Sequence, residues 1–90
     1  MNSLKISSNK VTAKATNIDT SYNSIAGLWC TTASIVVYET GAIGNGYLIN
    51  SSVAGFGTEA KHAKSDMMKE VYKLLETAEQ ELQHHSAFTA

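Results

Sequence analysis

The chain predicts an α+β fold: an antiparallel sheet of three to four strands in the order β-β-β-β-α, with one long C-terminal helix packed on one face. Three observations predict it. Residues 58–83 repeat apolar side chains at helical spacing. Residues 1–57 lack that spacing and are rich in Ser, Thr, Val, Ile and Asn, which suit strands and turns. Glycine and asparagine cluster between the candidate strands, where tight turns need them.

The elements follow in chain order. Leu4 and Ile6 alternate with Ser3, Lys5 and Ser7, Ser8-Asn9 supplies a turn, and Val11, Ala13 and Ala15 alternate with Thr12, Lys14 and Thr16. Strict alternation predicts a hairpin with its lysines toward water. Asn17 to Ser24 (NIDTSYNS) reads as a polar loop. Ile25 to Glu39 reads as the central strand, because both of its faces are fairly apolar: Trp29, Ala33, Ile35 and Val37 on one, Cys30, Thr32, Val36 and Tyr38 on the other. Thr40 to Gly46 (TGAIGNG) ends in an Asn-Gly pair and reads as a hairpin turn. Tyr47 to Phe56 returns as a strand with Tyr47, Ile49 and Val53 on one face, and Gly55 and Gly57 close it.

Thr58 reads as the cap of the helix, with Glu59 in its first turn. Ala60, Ala63, Met67, Val71, Leu74, Ala78 and Leu82 form its stripe, and Met68 and Leu75 widen it. Met67, Val71, Leu74 and Leu82 are expected to face the sheet. Ser86 to Ala90 reads as a frayed tail, leaving an ordered core of about residues 3–84 in a single domain spanning residues 1–90.

Composition excludes several classes of function. Net charge is −1, from seven lysines and eight acids, and the chain has no arginine. Residues 1–58 carry +1 and residues 59–90 carry −2. No field attracts nucleic acid or membrane, and the bidentate reader of phosphate and guanine is missing. Binding to nucleic acid is therefore not expected. No apolar run approaches the roughly 20 residues of a membrane span. Cys30 is the single cysteine, so no internal disulfide forms. No charged-then-apolar leader opens the chain, and the expected location is the cytoplasm.

Reactive constellations are equally sparse. His62, His84, His85 and Cys30 match no metal-ligand spacing, so no metal or other cofactor is expected. No nucleophile, base and acid stand in a catalytic pattern, and Cys30 sits in an apolar strand where a thiol is inert. No enzymatic activity is expected.

Gly55-Phe56-Gly57-Thr58-Glu59-Ala60-Lys61-His62-Ala63-Lys64 resembles the junction between the last strand and last helix of double-stranded RNA-binding domains. That resemblance implies that Lys61 and Lys64 hold phosphates across the major groove. The chain departs from the family in having no first helix and an acidic remainder of the last one.

Trp29 and Tyr38 have opposite parity on one strand, so they cannot both lie beneath the helix. Trp29, Val36 and Tyr38 are the candidate protein-interface residues, since exposed aromatics on a sheet anchor interfaces. In size, α+β form and lack of a catalytic pattern the chain resembles small phage-encoded inhibitors of bacterial defence, of the anti-CRISPR type. That resemblance implies a non-catalytic module acting in the host cytoplasm, with a host defence complex as its partner and steric blocking as its mechanism. The alternatives are a double-stranded-RNA-binding-like module using Lys61 and Lys64, and a homo-oligomeric structural protein, simplest as a homodimer.

Overall fold

A computed structural model describes residues 3–41 and 46–89, with side chains through Gln83. Its elements are β1 (Ser3–Ser7), β2 (Val11–Asn23), β3 (Leu28–Glu39), β4 (Ile49–Gly57) and α1 (Ala60–Thr89). The four strands form one sheet in the order β1-β2-β3-β4, every pair antiparallel. The helix packs on β4, β3 and β2 and leaves β1 uncovered. This is the expected α+β architecture.

The core lies between that helix and one sheet face. Val11, Ala13 and Ala15 of β2 and Ala33, Ile35 and Val37 of β3 meet Met67, Val71, Leu75 and Ala78 of the helix. Alternation in the strands and a stripe in the helix supply matching apolar surfaces. Each of the large fully buried side chains, Ile35, Val11, Val37 and Val71, contributes about 1.5–3 kcal/mol by leaving water.

Five local readings are corrected. The polar segment from Asn17 is not a loop: β2 continues through it to Asn23 as a strand of 13 residues. Asn17 takes a left-handed backbone (φ 53) at a bulge between Thr16 and Asp19. One extra residue inverts the side-chain parity, which broke the visible alternation. Below the bulge Thr20 shares a 2.9 Å hydroxyl hydrogen bond with buried Thr31, and Tyr22 meets Trp29 edge-on at 5.5 Å.

The second correction concerns the starts of the next strands. β3 begins at Leu28, because Asn23 Oδ1 accepts from Ile25 and Ala26 N–H in a tight turn that leaves Ile25 99% exposed. β4 begins at Ile49, so Tyr47 precedes the strand; of Tyr47, Ile49 and Val53 only the latter two take the helix side, opposite Val37 and Ala33. Residues 42–45 of the TGAIGNG turn lie outside the described residues; Gly41 and Gly46 flank them at φ 85 and 80.

The helix supplies the other three. Its first carbonyl belongs to Glu59, which accepts from His62 and Ala63 N–H at 3.1 Å, so Glu59 and not Thr58 is the cap position. The helix also runs past Gln83 to Thr89, since neither Pro nor Gly interrupts it. Leu75, expected only to widen the stripe, is buried, whereas Leu74 and Leu82 are half-buried at its margins.

Candidate functional site

The helix covers one face of the sheet, and the other face is uncovered by any described element. Cross-strand register fixes what that second face presents. Its central rows are Ser7–Thr12–Tyr38, then Lys5–Lys14–Val36–Asn50, then Ser3–Thr16–Ser34–Ser52. Val36 and Tyr38 are half-buried within it, and both lysines are exposed. Tyr47 leaves the turn toward this face, its ring 6.4 Å from that of Tyr38 in a tilted arrangement. Small hydroxyl side chains make the middle of the surface shallow, with the tyrosine pair at one end and, by register with Cys30, the 54% exposed Phe56 at the other.

The three predicted interface residues do not form one patch. Val36 and Tyr38 share the uncovered face, as parity requires. Trp29 has the parity of the helix side and pairs with Tyr22 and Gly57, beyond the core. Sequence reasoning placed one of the two aromatics outward without choosing; burial of Ile35 and Val37 makes the choice, and Tyr38 is the outward residue. It also assigned Tyr47 to the face of Ile49 and Val53. The start of β4 two residues later frees Tyr47 to join Tyr38.

Lys61 and Lys64 stand exposed in the first turns of the helix, on the far side of the molecule from Tyr38. Lys61 Nζ lies 4.0 Å from Glu59, and His62 lies 3.5 Å from the same carboxylate. Lys64 borders a groove of about 570 Å³ with Leu4, Ile18, Met67 and Met68. The neighbouring Gly55-Phe56-Gly57 has a packing explanation. A Cβ on Gly55 would collide with Met67 N and Ala63 O and lie 2.7 Å from Met67 Cα; one on Gly57 would lie 2.8 Å from Ala63 N. The glycines let helix backbone lie directly on strand backbone. Asp66 then reaches back to accept from Phe56 N–H at 3.0 Å on the edge strand.

Among the described residues, no three His, Cys, Asp or Glu side chains converge on a point that would hold a metal ion. The side chains of His84 and His85 lie outside the described residues. Cys30 is half-buried opposite Phe56 and Ser21. A second cleft of about 400 Å³ lies where Asn9, Lys10, Glu39 and Thr40 meet Leu82 and Gln83. Thr40 Oγ1 donates to Ser8 O there and shares a hydrogen bond with Thr12 Oγ1, so its hydroxyls serve the sheet corner. No described helix is long and apolar enough to cross a membrane. Comparison with known proteins finds no matching family model, curated protein or solved structure.

Proposed function

We propose that this chain is a non-catalytic protein-binding module that docks through the uncovered face of its sheet. The observation that carries the reading is the pairing of half-buried Val36 and Tyr38 with the nearby Tyr47 ring on a face no described element covers. Tyrosine offers a large contact area with a polar tip and loses little side-chain freedom on docking, so it anchors interfaces. At its most specific the proposal is a phage-encoded inhibitor that sterically blocks a CRISPR-Cas complex in the host cytoplasm. Blocking fits better than nucleic-acid mimicry, because lysines interrupt the acids along the helix.

Tagged protein in a bacterial lysate tests the reading, with Tyr38→Ala and Tyr72→Ala compared against the parent. Tyr72 is 56% exposed on the outer side of the helix and serves as the control. A partner retained by the parent and by Tyr72→Ala, and lost from Tyr38→Ala with an unchanged melting curve, is the expected result. Equal retention by all three variants would remove the docking face. A partner that proves to be a second copy of the chain would replace the defence target by a homodimer through the same face.

A further inference from the structure

We infer that the occupant of the uncovered face is an acidic protein segment, with carboxylates over Lys5 and Lys14 and apolar side chains over Val36 and Tyr38. This rests on the docking reading above and names the chemistry of the partner. Register sets Lys5 directly opposite Lys14 on neighbouring strands, both exposed on that face. Like charges in directly opposed positions repel each other. Lysine on an edge strand commonly blunts unwanted strand pairing, which accounts for Lys5 on β1. It does not account for Lys14, which lies on the interior strand β2.

The face itself supplies no counter-charge to this pair. The remainder of their row is Val36 and Asn50, and the adjoining rows carry hydroxyls and Tyr38. The first acid by register on this face is Asp19, past the bulge. Among the described residues the ion pairs all belong to the helix or its cap: Glu59 with Lys61 and His62, and Glu70 with Lys73. Lys5 and Lys14 are therefore cations without a described ion-pair partner on the uncovered sheet face, whereas the helix mixes four lysines with five acids. A docked partner without carboxylates would strip water from two mutually repelling ammonium groups and return nothing, whereas an acidic one removes the repulsion. A nucleic acid is the weaker candidate, because a polyanion is held by a track of many cations and this face offers one pair and no arginine.

Selection from a random dodecapeptide display library on the full-length chain tests the inference. Enriched peptides are expected to be rich in Asp and Glu beside apolar residues. Lys5→Gln/Lys14→Gln is expected to weaken them roughly fivefold or more, with the melting curve unchanged. Lys61→Gln/Lys64→Gln removes the same charge from the helix and is expected to leave their binding intact, while Tyr38→Ala weakens it. Neutral or basic peptides that still depend on Tyr38 would overturn the acidic class and leave the docking reading standing. Peptides indifferent to both Tyr38→Ala and Lys5→Gln/Lys14→Gln, or no enrichment at all, would overturn both. Duplex RNA or DNA binding abolished by Lys5→Gln/Lys14→Gln would replace the protein segment with a nucleic acid.

Discussion

Gly55 sits where the helix backbone touches the sheet, and a single methyl group there has no room. The atoms that a Cβ would meet, Met67 N, Met67 Cα and Ala63 O, are backbone, which no rotamer change can move aside. Gly55→Ala must therefore lift the helix off β4, which also draws Asp66 away from Phe56 N–H. Overpacking of this kind typically costs about 1–3 kcal/mol, and rigid backbone neighbours push it toward the top of that range. Chemical denaturation of Gly55→Ala should show this loss. Gly27→Ala should cost less, about 1 kcal/mol, because its added methyl meets open space and only the φ of 69 resists it. Equal losses at the two positions would deny the close approach of helix and strand.

The elements differ in how openly the chain displays them. The helix shows itself because Ala63, Met67, Val71 and Ala78 keep one stripe over many turns and nothing breaks the run. The upper part of β2 shows itself through alternation, and its lower part hides, because the bulge at Asn17 moves the buried positions from odd to even numbers. A reader of local polarity then meets Asp19, Thr20, Ser21 and Asn23 and finds a loop. An Asn, a residue that tolerates the left-handed region, ahead of β-favouring Ile18, Thr20 and Tyr22 was the available signal. The Gly-x-Gly step was visible too, but its reason lay in a crossing that only the packed helix reveals. Leu74 and Leu75 show the same limit, since adjacent leucines straddle one stripe and the crossing angle decides between them. Leu75→Ala should cost about 2–5 kcal/mol and the half-buried Leu74→Ala clearly less. Thermal melts of the pair read this directly, and the reverse order would mean the helix is rotated about its axis.

At the scale of the whole molecule, one helix on a four-stranded sheet leaves two surfaces of unlike character. The helix surface mixes five acids with four lysines, and the uncovered sheet surface carries Lys5, Lys14 and the tyrosine pair. Residue alternation made the existence of that surface legible in the sequence, together with Val36 and Tyr38 on it. The separation of Trp29 from those two, and the recruitment of Tyr47, depended on strand ends that alternation does not mark. The charge balance argues against nucleic acid as a partner. Gel shifts with duplex RNA and DNA at moderate salt should show no complex. A band that fades steeply with salt and disappears in Lys61→Ala/Lys64→Ala would restore the RNA-binding reading.

The central claim is that partners meet the uncovered sheet face. Site-specific photo-crosslinking in bacterial cells tests it most directly, with a photoreactive phenylalanine analogue placed at position 38 or, as control, at position 72 on the helix. The account predicts a discrete protein adduct from position 38 that is absent from position 72. Adducts from position 72 alone, or the same pattern from both, would contradict it.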